Sequence, residues 1–327
     1  MRNQLKSIFI LSSLFIVNLF AEAPPPKFMS KQLPNAYVAY AEERTLLSPE
    51  EINDLLEQGI QLEAQTTLTQ TLSEKGSAFF PHTHIRSCGD QVAAVAHACL
   101  AALQKTGKNQ ILVIGVLHSI TDTLRKALYR DLNNEDLSNE PCRGIFGPGL
   151  PNEEIFREEF SLDNFVFLLD HAVKKAGIEP PKVIIRYANL SQGHPETLPG
   201  IEEIKKIAES SIVVATADLF HHGVCYNTLP ENAIPIISRE ALVFAKEQID
   251  IGLKLLSKCT YLEYRDYAPK NFSDSKEVGQ LLMYLLGPLD AQFRDIRLVD
   301  TSHMFEGSPR PNWIAASLIE LKPIEPK

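Results

Sequence analysis

The hydrophobic and polar positions of the chain alternate between two kinds of segment. Short continuous apolar runs, typical of strands buried on both faces of a sheet, are separated by longer stretches with apolar residues at helical spacing. The predicted strands cover residues 78–81, 110–116, 182–188, 211–216, 296–301 and 313–321. The predicted helices cover residues 89–105, 161–175, 200–210, 240–258 and 273–286. This alternation predicts an α/β fold: a single large domain with a mostly parallel central sheet and helices on both faces.

A helix start precedes the first predicted strand. Ser48 fits an N-cap, Pro49 fits the first helical position, and Glu51 stands where a capping box places an acidic residue. The domain is therefore expected to cover residues 48–327. Residues 24–47 contain four prolines and are interpreted as an arm that precedes this domain.

The first residues follow the pattern of an export signal. Two basic residues precede an almost wholly apolar run over residues 8–21, which is short for a transmembrane helix. We predict a signal peptide over residues 1–23 and an exported protein, either periplasmic or extracellular. Cleavage after Ala21 is the alternative, because Pro24 disfavours a cut directly before it. An uncleaved N-terminal anchor is the other interpretation.

Composition and charge limit the classes of function that the protein can have. Of the 327 residues 44% are apolar and 22% are charged, as in an ordinary folded protein. A net charge of −9 argues against nucleic-acid binding, which requires a basic face. The mean hydropathy of −0.09 predicts no membrane span in the mature chain. Five cysteines are too few for a disulfide scaffold, although an oxidising compartment would allow pairing among Cys142, Cys225 and Cys259.

Histidines follow three of the predicted strands. His82 and His118 come after the first and the second strand, and Asp218 and His221 come after the strand over residues 211–216. Ligands of an open α/β sheet bind at the carboxyl ends of its strands, so we expect these side chains to meet there. Imidazole both binds metals and titrates near neutral pH. The sequence therefore predicts a metal or acid–base site, with the adjacent His84 and His222 at its rim.

Several motifs around these histidines resemble those of the Memo-like family. They are Pro-His-Thr-His at 81–84, Gly-Val-Leu-His-Ser at 115–119, Ala-Asp-Leu-Phe-His-His-Gly at 217–223, Val-Gly-Gln-Leu-Leu at 278–282 and Trp-Ile-Ala-Ala at 313–316. Their order and spacing agree with the family over roughly residues 75–321. The family includes AmmeMemoRadiSam system protein B and is structurally similar to class III extradiol dioxygenases. The resemblance identifies the chain as a divergent member. It implies a single α/β domain with a pocket that can bind a metal.

The resemblance assigns roles to individual residues. It implies that His82 and His118 are metal ligands, and that Asp218 and His221 match the acidic residue and the third histidine of the pocket. The cysteine ligand of the family falls by spacing on Ser273, whose neutral hydroxyl is a poorer ligand than a thiolate. The candidate metal ligands are thus His82, His118, His221 and Ser273, and the candidate catalytic residues are His221 and Asp218.

Two further family histidines fall on Phe160 and Phe165, so the pocket differs from that of the family. Iron with open coordination positions would suit dioxygenase-like oxidation, and zinc would suit hydrolysis. The sequence is compatible with both metals. The substituted positions also allow an alternative, a non-catalytic module that binds a metal or a protein through a degenerate site. The partner is then a small molecule or a protein. The sequence contains no P-loop, dinucleotide-binding fingerprint or nucleophile elbow.

Overall fold

The structure is a computed structural model that describes residues 29–118, 121–305 and 310–324, so the predicted signal peptide at 1–23 lies outside the described residues. The helices are α1 Met29–Thr45, α2 Pro49–Glu63, α3 Leu68–Ser73, α4 Ile85–Thr106, α5 Asp122–Leu132, α6 Asp163–Ala176, α7 Ile201–Ser210, α8 Arg239–Lys258, α9 Tyr261–Lys270 and α10 Lys276–Leu286. The strands are β1 Ser77–Phe80, β2 Gln110–Gly115, β3 Gly144–Phe146, β4 Lys182–Asn189, β5 Ile212–Thr216, β6 His221–Gly223, β7 Leu289–Asp300 and β8 Asn312–Pro323.

In the part of the chain that the structure describes, eight strands form one mixed sheet. Its order is β3-β4-β2-β5-β1-β8-β6, with β7 paired along the other edge of β8. The four central strands β4, β2, β5 and β1 are parallel, and the strands at both ends of the sheet pair antiparallel. The single α/β domain with a parallel sheet core is therefore confirmed, and antiparallel strands extend that core on both sides.

Helices cover both faces of the sheet, as predicted. Helices α2, α4 and α6 pack on one face, and α7, α8, α9 and α10 pack on the other. Successive strand residues alternate between the two cores, so Phe80 joins the first and Phe79 the second. Because both faces are buried, the central strands consist of continuous apolar runs, and these runs are what the sequence pattern detected.

The capping box predicted at the start of α2 is present. The Glu51 backbone N–H donates to Ser48 Oγ at 3.1 Å, and the Ser48 N–H donates to Glu51 Oε2 at 2.8 Å. The segment interpreted as an arm contains helix α1, which is tied to the domain. Tyr40 is buried, and Arg44 forms a 2.7 Å ion pair with Asp163 at the start of α6.

Two further features concern the cysteines and the helices. All five cysteines are free thiols, so none of the pairings considered for an oxidising compartment is formed. Across the described helices, none combines the length and the apolar character needed to cross a bilayer.

A buried carboxylate joins the last strand to its neighbours. The side chain of Glu320 on β8 has no exposed surface and accepts hydrogen bonds from Arg294 Nε at 2.5 Å, from Thr67 Oγ1 at 2.5 Å and from the Thr71 hydroxyl. Lys322 Nζ lies 3.2 Å away. Burial disfavours the charged form, but these donors outweigh it and lower the pKa of Glu320 to about 2. The carboxylate thus links α3 to the β7–β8 pair.

Glu320→Gln is expected to lower the free energy of unfolding by roughly 3 kcal/mol at neutral pH, because an amide cannot replace the ionised acceptor. The folded-state pKa of about 2 lies below the ordinary 4.5, so this contribution is present above pH 4.5 and is lost as the pH falls through 2. Urea unfolding should therefore show the gap between the wild type and the variant closing over that range. The exposed Glu231→Gln serves as the control, and a gap that stays constant would contradict the assignment.

Candidate metal centre

Three neighbouring parallel strands end side by side and place polar side chains at one edge of the sheet. His82 follows β1, His118 follows β2 and Asp218 follows β5; His221 begins β6, and Asp274 lies in the loop before α10. One ligand atom from each of His82, His118 and Asp274 lies within 4.8 Å of the others, and Asp218, His221 and Asp274 form a second such group. The structure therefore brings together His82, His118, Asp218 and His221, as expected from their places at the strand ends.

His82 occupies the centre of the cluster. Its Nδ1 lies 3.1 Å from Thr216 Oγ1; because that hydroxyl donates its proton to the Phe80 carbonyl, it accepts a hydrogen bond from Nδ1–H. Nε2 lies 3.2 Å from Asp274 Oδ2 and 3.6 Å from Asp218 Oδ2. Burial disfavours the imidazolium, but the two carboxylates outweigh burial and raise the pKa of His82 to about 9. In the metal-free cluster a proton thus supplies positive charge between the carboxylates.

His118 is held by a buried carboxylate. Glu159 Oε2 accepts the His118 backbone N–H at 2.6 Å, and Oε1 accepts Nδ1–H at 2.9 Å together with the N–H groups of Phe160 and Ser161. Burial would raise the pKa of Glu159, but His118 and these N–H donors lower it, so the carboxylate is ionised. Carboxylates in this position behind a histidine fix its tautomer and increase its basicity as a metal ligand.

His221 is fixed by a backbone carbonyl. Phe272 O accepts a 2.5 Å hydrogen bond from His221 Nδ1 and a 3.2 Å bond from the His221 backbone N–H. The three imidazoles consequently share one arrangement, in which Nδ1 is bound by a protein acceptor and Nε2 is left for a ligand. Structured acceptors behind each ring are typical of metal-binding histidines.

Asp274 belongs to both groups. Its Oδ1 accepts the Asp218 backbone N–H at 2.9 Å, whereas its Oδ2 is buried and lies outside hydrogen-bond geometry with every donor in the described chain. Burial raises the pKa of Asp274, but the charge of His82, whose Nε2 lies 3.2 Å from Oδ2 as an ion pair, lowers the pKa below the usual value. A buried carboxylate oxygen without a hydrogen bond is costly unless a cation or another charged group lies beside it.

Asp274 was not among the residues singled out from the sequence. The spacing of the resemblance falls one position earlier, on Ser273, whose hydroxyl lies 2.7 Å from Ser275 Oγ. Ser275 Oγ in turn lies 2.7 Å from the hydroxyl of Tyr264 on α9. The two serines thus anchor the loop, and their neighbour Asp274 supplies the carboxylate. An acidic residue next to the expected ligand position is the signal that could have identified it.

The two phenylalanines that the resemblance aligns with histidines lie in different places. Phe160 stacks on His118 with ring centroids 4.4 Å apart, and Tyr40 of α1 packs 5.2 Å from Phe160. Phe165 stacks on Phe80 within the core. The side chains of His118 and Asp274 remain 14% and 16% exposed, so the cluster is open to solvent at these two residues.

The expected rim position is wrong for His222. Its ring is buried, stacks on Trp313 with centroids 4.6 Å apart, and accepts the Ile234 backbone N–H at Nε2. Neighbouring residues of a strand point to opposite faces, so His222 faces away from the side on which His221 lies. His84 is the last residue of the loop between β1 and α4, and its Nδ1 lies 3.2 Å from a carboxylate oxygen of Glu43.

Neither a protein-family model nor a curated protein matches the chain. The resemblance to the Memo-like family therefore rests on the sequence motifs, and the function has to be argued from the geometry of the cluster.

In metal-free protein, His82→Gln is expected to reduce stability most at low pH. The folded-state pKa of about 9 exceeds the ordinary 6.5, so the imidazolium contributes fully below pH 6.5, by roughly 3 kcal/mol, and the contribution is lost as the pH rises through 9. Unfolding free energies measured with a chelator present should show the difference between the wild type and the variant shrinking across this range. The exposed His194→Gln should show no such trend, and a pH-independent difference for His82→Gln would contradict the ion-pair geometry.

Proposed function

We propose that the chain binds a divalent metal ion at His82, His118 and Asp274 and uses it for chemistry on a small molecule. The observation that carries the proposal is the placement of one ligand atom from each of these residues within 4.8 Å of the others. Two imidazoles and one carboxylate form the ligand set of many non-haem Fe(II) enzymes and of some zinc hydrolases. The position at the carboxyl ends of parallel strands is also where α/β sheets bind ligands.

The charges of the cluster fit a cation. The carboxylates of Asp218 and Asp274 flank Nε2 of His82, and a third carboxylate, Glu159, lies behind His118. A dication at this place would replace the proton held by His82 and would lie beside Asp274 Oδ2, which has no hydrogen bond. Metal binding and protonation of His82 therefore compete, and metal affinity rises with pH.

The chain's own residues prepare the site. Thr216 and Glu159 hold the rings of His82 and His118, and the partly exposed His118 and Asp274 leave the cluster open to solvent on one side. A bound ion would supply open positions for a substrate and for O₂ or water. The resemblance to Memo-like proteins and to extradiol dioxygenases favours iron and oxidation over zinc and hydrolysis. The signal-like N-terminus supports an exported location.

A non-catalytic metal-binding role is the second candidate. It is favoured by the ring of Phe160, which stacks on His118 at 4.4 Å where the family has a histidine, and by the packing of Tyr40 against Phe160. These rings cover part of the cluster and take the place of a polar group that would act on a substrate. Both candidates require the same metal ligands, and they differ in whether substrate is turned over.

His118→Ala is expected to weaken metal binding more than about 100-fold, because the site loses one of its three protein ligands. Calorimetric titration of metal-stripped full-length protein with Zn²⁺, and with Fe²⁺ under argon, measures the loss. The matched control is His194→Ala, which removes an exposed histidine paired with Glu196 outside the cluster. Equal metal affinities of the His118 and His194 variants would contradict the proposed site.

Glu159→Gln is expected to give a smaller loss of metal affinity, about 10–100-fold, because the ligands stay and only the orientation of His118 is relaxed. The same titration checks this, with thermal unfolding as the test that the variant is folded.

Oxygen uptake by the Fe²⁺-loaded wild type with simple catechols, and its absence in His118→Ala, would identify oxidative turnover. Stoichiometric metal binding without oxygen uptake or hydrolysis of model esters would favour the non-catalytic candidate.

A further inference from the structure

We infer that Asp218 and His221 hold a second divalent cation, and that Asp274 bridges it to the ion at His82 and His118. This inference rests on the proposed function, because both ions share Asp274. The site would take a cation of borderline hardness such as Mn²⁺, Fe²⁺ or Zn²⁺, since its donors are imidazole nitrogen and carboxylate oxygen.

The two ligand groups meet the same distance limit. One ligand atom from each of Asp218, His221 and Asp274 lies within 4.8 Å of the others, as in the group of His82, His118 and Asp274. Asp274 is the member that the two groups have in common. A carboxylate has two oxygens, each with two acceptor sites, so one side chain can bind two ions at once.

His221 is prepared as a ligand in the same way as the other two histidines. Phe272 O binds its Nδ1–H at 2.5 Å and its backbone N–H at 3.2 Å, which fixes the ring and leaves Nε2 for a ligand. Phe272 and Asp274 belong to one short loop, whose Ser273 and Ser275 hydroxyls are hydrogen-bonded to each other. The loop therefore fixes His221 and Asp274 relative to each other before any ion arrives.

Asp218 is held between the two groups by hydrogen bonds. Its Oδ1 accepts the His82 backbone N–H at 3.2 Å, and its own N–H donates to Asp274 Oδ1 at 2.9 Å. Its Oδ2 lies 3.6 Å from His82 Nε2. These contacts place the Asp218 carboxylate beside the first group while it belongs to the second, so the two candidate ions would be neighbours rather than separate sites.

Charge balance also supports two ions. Asp218 and Asp274 belong to the cluster, and Glu159 lies directly behind His118, so three carboxylates share a largely buried region. The three carboxylates carry a formal charge of −3, so one dication leaves a formal net charge of −1. Two dications with one bound hydroxide make the group neutral. Net charge in a poorly solvated region is costly, which favours the neutral composition.

Titration of metal-free, full-length protein with Mn²⁺ tests the inference. Equilibrium dialysis with elemental analysis counts the ions, and electron paramagnetic resonance reports whether they are coupled. The wild type is expected to bind two equivalents and to give an exchange-coupled spectrum. The double variant Asp218→Asn/His221→Gln is expected to bind one equivalent and to give the six-line spectrum of isolated Mn²⁺. His194→Gln, the exposed control, should match the wild type.

The outcomes separate this inference from the proposed function. A wild type that binds one equivalent, lost in His118→Ala and kept in the double variant, overturns the second ion and leaves the proposed function standing. A wild type that binds no metal overturns both. Two equivalents with uncoupled spectra overturn the bridge through Asp274. The wild-type count and spectrum decide the matter even if a variant does not fold.

Discussion

The electrostatic contact between His82 and the carboxylates of Asp218 and Asp274 is the interaction on which the site depends. Two carboxylates at the edge of a buried sheet repel each other unless positive charge lies between them. In the metal-free protein that charge is the proton of His82, whose pKa rises to about 9. The hydrogen bonds that the three imidazoles donate to Thr216, Glu159 and Phe272 set the orientation of the rings around this pair of acids.

The sheet supplies the geometry through a mixture of strand directions. The parallel strands β1, β2 and β5 all end at one edge, which brings His82, His118 and Asp218 into the same region. The antiparallel β8 then aligns β6 beyond the end of β1, because its last residues pair with β1 and its first residues pair with β6. His221 reaches the cluster by this second route, so the parallel core and its antiparallel extension contribute different ligands.

The features that depend on local sequence pattern could be predicted from the sequence. Buried strand runs, the capping box at Ser48 and the histidines at strand ends are all encoded within a few residues. Asp274 and the role of Glu159 could not be predicted, because each residue lies in a loop and is brought to the cluster by tertiary contacts. The three-residue strands β3 and β6 are too short to show a period, and the N-terminal half of β7 alternates with charged residues and was therefore missed. His222 is buried because neighbouring residues of β6 point to opposite faces. This burial could not be predicted from the sequence, because β6 itself was not predicted.

The pairing of β1 with β8 has a consequence for how the protein is made. Among the described residues β1 is the first strand, and its neighbour β8 is the last. In a growing polypeptide that has not yet reached β8, β1 can pair only with β5. The strand that aligns β6 with β1 is still missing. Contacts of such long sequence separation slow folding, because the entropy of closing the intervening chain has to be overcome before they form. His221 can therefore join the rest of the cluster only after β8 has been synthesised and has paired with β1 and β6.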